Sequence, residues 1–501
     1  MRRSLSIGLG IVLVCLTVLR LWGGIAVELI PQEAYYWLYA QHPALCYYDH
    51  PPVTAWMVRA GVALLGDTEL GVRLAALVCS LLACGLMFWT GRLWFGDQAA
   101  LAGTLLFALA PLFAGMGLIM TPDVPVVLFW VAAMFAISKA LLTGRTAWWL
   151  ASGAMFGAAM LSKYTAVLLG PSWILFLLLS PAHRRWLRKP QPWLAALVAL
   201  LLLTPVICWN AQHEWASLLF GFRGAGKPRG NPFENVLWFF ASQFLVVTPP
   251  VLVLCAWALG RGIRRGWFGR EDGWNFVASF CVPTLLVLLL SSLNKRIHPN
   301  WPCLMFPSLF LGAGALLTEG LASASPTVAR WWRRGAWVTA GTLLASVGLG
   351  ASVILCNKPE ALLPDGTGGW RALASAVREA RNNLARRSGQ QPFVLGADKF
   401  HLPSALAFYL REPDDVVNEF VLDPKRGLGF RYWTDLDRLK GRPAVIVADK
   451  VSDRLTWRLG LAFERVEAPR RIEVRPAGLS ARAFFLVDCH GYRGRTKKAG
   501  P

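Results

Sequence analysis

Charged residues are scarce in this sequence. Of its 501 residues, 16% are charged and 55% are apolar, whereas soluble proteins usually carry about a quarter charged residues. A soluble fold cannot bury so much apolar surface, so a soluble protein is excluded. The sequence instead predicts an α-helical polytopic membrane protein with about eleven spanning helices. The first span is expected to be uncleaved, because a small-residue cleavage pattern is missing after it.

Paired cysteines are lacking as well. The ten cysteines are scattered singly, mostly inside apolar stretches, and form neither a CxxC motif nor a Cys/His cluster. The sequence therefore indicates neither a metal framework nor a disulfide scaffold. Repeats of fixed period and low-complexity stretches are also missing.

Acidic residues are outnumbered, and the formal net charge is +22. The basic residues lie between the predicted spans rather than on a patch interleaved with aromatic residues, as nucleic-acid binding would require. We therefore expect membrane lipids as partners and no nucleic acid.

The basic residues also predict the orientation of the chain. Lys and Arg next to span ends favour the cytoplasmic side, and one alternate set of loops holds most of them. That set contains Arg2, Arg3, Arg92, Arg145, Arg184, Arg185, Arg188, Lys189, Arg261, Arg264, Arg265, Arg270, Arg330, Arg333 and Arg334. The opposite loops and the C-terminal tail are expected to face the periplasm or exterior of a cytoplasmic (inner) membrane.

The composition changes sharply after Cys356, where charged and alternating sequence begins. We predict a transmembrane domain over residues 1–356 and a small extracytoplasmic α/β domain over residues 357–501. The tail pattern predicts a helix over 369–384 and strands over 393–398, 444–449, 471–474 and 483–487. It contains no phosphate loop or nucleophile elbow, so a support or acceptor-docking module is favoured.

Carboxylates occur in two of the outer loops. Helical spacing places Glu33 beside Tyr36 and Trp37 on one face of a short helix. Alternatively, these aromatics form an interface belt and Glu33 faces water. Asp123 begins a span, where it could cap the helix or meet an ion, a sugar hydroxyl or a partner loop.

Basic residues on the outer side run against the positive-inside tendency and need another reason to be there. A phosphate at the membrane surface would supply one for Lys163, Lys295 and Arg296. The alternatives are that Lys163 snorkels to the interface and that the other two are tolerated loop charges. A Gly-rich outer loop that could act as a lid contains Arg223, Lys227 and Arg229.

Five stretches together resemble the signature motifs of bacterial membrane glycosyltransferases. The group is the protein O-mannosyltransferase-like (family 39, C-type) one, and the chain is similar to the lipid A aminoarabinose and galacturonic acid transferases. The stretches are Pro31-Gln32-Glu33-Ala34-Tyr35-Tyr36-Trp37, Tyr48-Asp49-His50-Pro51-Pro52, Thr121-Pro122-Asp123, Ser162-Lys163-Tyr164-Thr165 and His298-Pro299-Asn300-Trp301-Pro302. They cover roughly the first two thirds of the chain, in order and on one predicted face.

The resemblance implies a C-type glycosyltransferase fold, a polyprenyl-phosphate sugar donor and an acidic residue of the first outer loop at the reaction centre. We carry the catalytic role onto Glu33 and Asp123, and which of them is the base stays open. Gln32 departs from relatives that often have a carboxylate there, and an amide cannot be a base. The candidate substrate-binding residues are Tyr35, Tyr36, Asp49, His50, Lys163, Tyr164, Lys295, Arg296, His298 and Asn300.

The function predicted from these residues is transfer of a sugar from the lipid-linked donor to a hydroxyl of lipid A, an envelope glycan or a protein, with inversion. Cations would stabilise the leaving phosphate and a carboxylate would activate the acceptor. A divalent ion bridging carboxylate and phosphate is compatible with this chemistry, although no ligand spacing demands one. The alternatives are a transporter or flippase for a lipid-linked saccharide and a non-catalytic binding subunit. Midplane charges typical of a transporter are missing, since Arg20 lies close enough to the outer end of its span to snorkel.

Overall fold

The computed structural model describes residues 2–223, 230–355, 368–423, 426–474 and 482–494. It is mainly helical with a small sheet near the C-terminus, which confirms the predicted fold class. The α-helices are α1 Arg2–Ala26, α2 Pro31–Gln41, α3 Val53–Leu65, α4 Glu69–Leu109, α5 Pro111–Met116, α6 Asp123–Thr143, α7 Thr146–Met160, α8 Leu169–Leu179, α9 Pro190–Leu202, α10 Thr204–Gln212, α11 Ala216–Arg223, α12 Pro232–Val247, α13 Pro249–Arg261, α14 Asp272–Ser279, α15 Val282–Ser292, α16 Phe306–Leu321, α17 Pro326–Leu355, α18 Trp370–Ser388, α19 His401–Leu410, α20 Leu436–Leu439 and α21 Asp453–Ala462.

Six of the described helical segments are long and apolar enough to cross a membrane, or up to eight if each of two bent pairs is one span. The six are Ser6–Ala26, Glu69–Leu109, Asp123–Thr143, Asp272–Ser292, Trp301–Leu321 and Pro326–Val353. The chain is therefore a multi-pass membrane protein, as predicted. The count of about eleven spans stays a prediction.

Glycine and proline interrupt several of these helices. Helix α4 has 41 residues, about 60 Å at 1.5 Å per residue and so about twice the hydrocarbon thickness. Gly96 breaks its helical geometry with φ 79°, close to Arg92, where the sequence predicts a loop. The segments on either side of Thr248 are bent by 112°, because proline at the next position cannot continue the helical hydrogen bonds of α12.

The chain divides into two compact units. The first unit comprises Met1–Trp22, His50–Thr54 and Arg73–Ala351, and the second comprises Gly23–Asp49, Ala55–Val72 and Ser352–Pro501. The first outer loop, which contains Glu33, thus forms a unit with the C-terminal tail. The predicted domain boundary at residues 356 and 357 lies outside the described residues and stays a prediction.

The second unit contains a mixed six-stranded sheet. Its strands are β1 Phe393–Gly396, β2 Val416–Asn418, β3 Ala444–Ala448, β4 Phe463–Val466, β5 Arg470–Val474 and β6 Arg482–Tyr492. The order is β2-β1-β3-β6-β4, and β5 also pairs with β6. Strand β1 is parallel to β2 and β3, whereas β6 is antiparallel to β3, β4 and β5. The predicted helix and four predicted strands are present, and β2 and β4 are additional.

The core of the second unit lies around the central strands. Every residue of β1 and β3 is buried, as expected for strands covered on both faces. The Tyr492 hydroxyl, at the end of β6, donates to the Val421 carbonyl at 2.8 Å, so a polar atom in this core is satisfied. The core residues include Phe393, Leu395, Val417, Val421, Leu439, Ala444, Ile446, Leu459, Phe463, Val487 and Tyr492.

Candidate functional site

Asp123, the first residue of α6, lies at the centre of a polar cluster in the first unit. Its carboxylate accepts a hydrogen bond from Lys163 Nζ at 2.7 Å and from Asn300 Nδ2 at 3.0 Å. The Cys303 thiol lies 3.5 Å from the same carboxylate. Pro122 occupies the N-cap position, and no side chain caps α6. The capping alternative is therefore not supported, since the carboxylate is bound to residues from other elements.

The Asp123–Lys163 pair is shielded from solvent. The two side chains are 7% and 14% exposed, so each charge depends on the other for compensation. The Lys163 ammonium is bound to Asp123 rather than snorkelling to the bilayer interface. The pair thus fixes the position of both charges in the first unit.

Trp301 lies within cation–π distance of two ammonium groups. Lys163 Nζ is 6.0 Å and Lys295 Nζ is 5.2 Å from the centre of its ring. Such contacts favour a cation without neutralising it. In the described part of the chain, Lys295 makes no ion pair with a carboxylate. Its positive charge therefore remains available to an anion.

Arg296 is held in the same way by a second indole. Its guanidinium carbon lies 5.0 Å from the centre of the Trp238 ring, and the Trp238 Nε1 donates to the Ile297 carbonyl at 3.1 Å. Within the described ranges, Arg296 likewise has no carboxylate partner. The exposed His298 ring packs 5.5 Å from Trp301. This loop therefore presents two cations supported by aromatic rings.

Two further motifs meet in the first unit. The backbone amide of Val53 donates to the Leu161 carbonyl at 3.1 Å, which places the start of α3 beside the turn that carries Lys163. His50, three residues before Val53, is half-buried. The Tyr164 hydroxyl is bound to Ser217 Oγ at 2.8 Å.

Glu33 lies in the second unit, in the first turn of α2. It is fully buried, and its Oε2 accepts from the backbone amide of Ile30 at 3.1 Å. The alternative in which Glu33 faces water is wrong; the neighbouring Gln32 is the exposed residue. The carboxylate stabilises the start of α2, and its predicted role as a base stays a prediction.

The candidate binding residues around Glu33 have structural partners within the second unit. The Tyr35 hydroxyl donates to Asp49 Oδ1 at 3.3 Å and accepts from the Gly429 amide at 2.9 Å. Tyr39 also donates to Asp49. Burial and then the negative charge of Asp49 raise the pKa of both Tyr35 and Tyr39 well above the usual value. Tyr36 is buried against both rings.

Two expectations, a divalent metal ion and a lid loop, are not tested by the described residues. Among the described residues, no three His, Cys, Asp or Glu side chains converge as metal ligands. The side chains of the predicted lid residues Arg223, Lys227 and Arg229 lie outside the described part of the structure. The lid stays a prediction.

Sequence reasoning missed three participants, namely Cys303, Trp238 and Gly429. Cys303 directly follows the motif that ends at Pro302, so its position was a usable signal. Trp238 and Gly429 stand outside every motif, and no local pattern connects them to the residues that they contact.

Solved structures share the overall architecture. ArnT from Cupriavidus metallidurans in the apo state matches with a TM-score of 0.62 and 17% identity, over 96% of this chain and 98% of that one. The same protein bound to undecaprenyl phosphate matches with a TM-score of 0.62 and 16% identity, again over 96% and 98%. This chain has the C-type glycosyltransferase fold.

Sequence comparisons agree with this C-type assignment. Residues 49–209 match the family described as dolichyl-phosphate-mannose-protein mannosyltransferase, and this segment includes Asp49, His50, Asp123 and Lys163. The lipid A galacturonosyltransferase RgtD of Rhizobium johnstonii is 28% identical over 55% of this chain and 58% of its own length. The undecaprenyl phosphate-alpha-4-amino-4-deoxy-L-arabinose arabinosyl transferase of Pseudomonas paraeruginosa is 27% identical over 55% and 51%.

These matches confirm the family resemblance predicted from the motifs. The chain spans a little over half the length of these two curated relatives.

Proposed function

We propose that this chain is a glycosyltransferase that moves a sugar from a polyprenyl-phosphate donor to a hydroxyl acceptor. The observation that carries the proposal is the pair of cations Lys295 and Arg296, which contact indole rings and no described carboxylate. The names of the relatives support a donor of the undecaprenyl-phosphate class and lipid A as acceptor. An envelope glycan or a protein is the other acceptor class.

The cations stabilise the leaving phosphate. As the bond between the anomeric carbon and the phosphate oxygen breaks, negative charge grows on the phosphate, and fixed cations in a partly dry site stabilise it. Lys295 and Arg296 are suited to this because they are not neutralised by carboxylates. Lys163 is compensated by Asp123 at 2.7 Å, so it contributes a positioned hydrogen-bond donor rather than a third free charge.

A carboxylate activates the acceptor hydroxyl. The acceptor oxygen forms the new bond to the anomeric carbon and loses its proton to a general base. Attack from the face opposite the phosphate inverts the anomeric carbon. Glu33 and Asp123 are the two candidate bases. We place the reaction on the outer face of the cytoplasmic membrane, because these residues occupy the loops opposite the basic set.

The test is transfer in proteoliposomes that contain the full chain. Undecaprenyl-phosphate-linked 4-amino-4-deoxy-L-arabinose and polyprenyl-phosphate-linked galacturonic acid are offered with lipid A, and products are measured by mass spectrometry. We expect inverted glycosyl–lipid A from at least one donor. If lipid A is not modified, mass spectrometry of envelope glycans and proteins from cells with and without the gene identifies the acceptor.

Lys295→Ala sharpens the test. Loss of one charge-assisted hydrogen bond, on the order of 1.5–3 kcal/mol, should lower kcat/KM for the donor at least about tenfold, whether the contact forms in the bound donor or strengthens as the bond breaks. Arg188→Ala, which removes an exposed cation of the other loop set, is the matched control and should change little. No transfer from any polyprenyl-phosphate sugar to any envelope component, or an unchanged kcat/KM for the donor in Lys295→Ala, would overturn the proposal.

A further inference from the structure

Arg20 is the one charged residue in the apolar segment Ser6–Ala26. It lies in α1, whose neighbouring side chains Val14, Val18 and Leu21 are exposed on the outside of the protein, as expected for a helix that faces lipid. Arg20 itself is only 4% exposed, so it does not reach the interface by snorkelling. An arginine inside a membrane protein is costly and normally has a specific partner or function.

The guanidinium binds the backbone of the short helix α5. Its Nε and Nη2 donate to the Ala114 carbonyl at 3.2 and 2.9 Å, and Nη2 also lies 3.3 Å from the Phe113 carbonyl. Carbonyls in the last turn of a helix lack intrahelical partners, and a cation there also interacts favourably with the helix dipole. The next amides, of Leu118 and Ile119, donate to Gly115 instead.

Gly117 provides the space for this interaction. A Cβ atom at Gly117 would stand 2.2 Å from the guanidinium carbon of Arg20. The Gly117 backbone has φ −78°, which any residue can adopt. Glycine is therefore needed here for room and not for its backbone freedom, and any side chain at residue 117 would displace the guanidinium.

The segment that Arg20 holds leads directly into the polar cluster. Only five residues separate Gly117 from Asp123, and among them Met120 is fully buried. The amides of Leu118 and Ile119 donate back to Gly115, and the amide of Val124 donates to the Thr121 carbonyl at 3.0 Å, so both ends of this short connection are held by backbone bonds. A shift of α5 would be passed to the Asp123 carboxylate.

We propose that Arg20 is a positioning residue that clamps α5 and thereby holds Asp123 in register with Lys163. This inference rests on the proposed transfer reaction for its effect on rate, whereas the clamp itself is a statement about the fold. The two parts can therefore fail separately.

The test uses the full chain in lipid nanodiscs. Arg20→Met removes the clamp, Arg20→Lys keeps the charge but loses the planar fork of donors, and Gly117→Ala pushes the guanidinium away. Val18→Ala, on the exposed side of the same helix, is the control. Monodisperse elution and thermal unfolding establish that each variant is folded.

Hydrogen–deuterium exchange provides the readout that does not depend on activity. We expect residues 111–122 to exchange about tenfold faster in Arg20→Met and Gly117→Ala, with a smaller change in Arg20→Lys and none in Val18→Ala. If residues 111–122 of folded Arg20→Met or of folded Gly117→Ala exchange at the wild-type rate, the clamp is refuted. If Arg20→Met does not fold, Gly117→Ala decides.

Transfer kinetics test the positioning role. A displaced Asp123 should lower kcat about 10- to 100-fold while the donor KM changes little, and Arg20→Lys should restore part of it. Faster exchange with unchanged kcat would overturn the positioning role and leave a merely structural clamp. Absence of transfer in the wild type, with the exchange effect intact, would refute the proposed function and the positioning role and leave the clamp standing.

Discussion

The candidate substrate-binding residues of the two compact units have different partners. In the second unit, Tyr35 and Asp49 are bound to each other, and Tyr35 also accepts from the backbone of Gly429. In the first unit, the side chains of Lys295 and Arg296 lie over aromatic rings, and no carboxylate of the described residues pairs with them. The candidate residues are thus hydrogen-bonded within the fold in one unit and leave positive charge uncompensated in the other.

For the proposed reaction, this difference favours the first unit as the place where the donor phosphate is bound. Buried polar groups with complete hydrogen bonds stabilise a fold and define its packing, whereas an uncompensated cation invites an anionic ligand. Asp123 and Lys163 are intermediate between these cases, since they are paired with each other and Lys163 shares the Trp301 ring with Lys295. Variants that separate folding from transfer test this division.

The largest effect is expected for the Asp123–Lys163 pair. Asp123→Asn leaves a buried ammonium without its counter-charge, which should cost about 3–5 kcal/mol of stability and lower transfer about 1,000-fold. Asp97→Asn, which breaks the more exposed pair with Arg92, should cost less than about 1 kcal/mol. Thermal unfolding and transfer are measured on the same preparations.

The double variant Asp123→Asn with Lys163→Met makes this comparison sharper. Removing both charges eliminates the unpaired ion, so most of the stability should return. Transfer should stay low, because the groups are needed for the reaction as well as for the fold. Recovery of transfer together with stability would mean that this pair is structural, like the bonds of the second unit.

A smaller effect on transfer is expected for Glu33→Gln. The amide oxygen can still accept from Ile30, so the first turn of α2 should persist, while the charge that a base requires is lost. Transfer should fall about 100-fold with the melting temperature changed by less than about 2 °C. Gln32→Glu adds a carboxylate at the exposed neighbour and should leave both unchanged. Full transfer by Glu33→Gln would remove Glu33 from the mechanism and place it with the structural residues.

The sequence predicted what depends on composition and local pattern. The apolar stretches gave a polytopic helical protein, and strands β1 and β3 were found because each is a continuous apolar run. Strands β2 and β4, with three and four residues, are too short to show a period. Their existence depends on pairing with distant strands.

Contacts between distant residues were the part that the sequence could not supply. Lys163 and Asp123 were both candidates, but nothing in their stretches shows that they bind each other across 40 positions. Tyr35 and Gly429 are 394 positions apart, and only the assembled second unit brings them together. For the same reason the sequence could not show that the Tyr35 hydroxyl bonds to Asp49 and Gly429, and its role in binding substrate stays a prediction.

The smallest effect on transfer, and the sharpest contrast with Asp123, is expected for Tyr35→Phe. Phenylalanine leaves the Gly429 amide without its acceptor and should cost about 1–3 kcal/mol of stability, with kcat per folded molecule within about twofold of the wild type.

The raised pKa of Tyr35 and Tyr39 means that the folded protein keeps these protons more tightly than the unfolded chain. Their contribution is therefore full below the unfolded pKa of about 10 and is lost as the pH rises above it. Thermal unfolding from pH 8 to 11 should show a shallower alkaline loss in Tyr35→Phe than in the wild type. A large fall in kcat of folded Tyr35→Phe would instead place this hydroxyl in the reaction and erase the distinction between the two units.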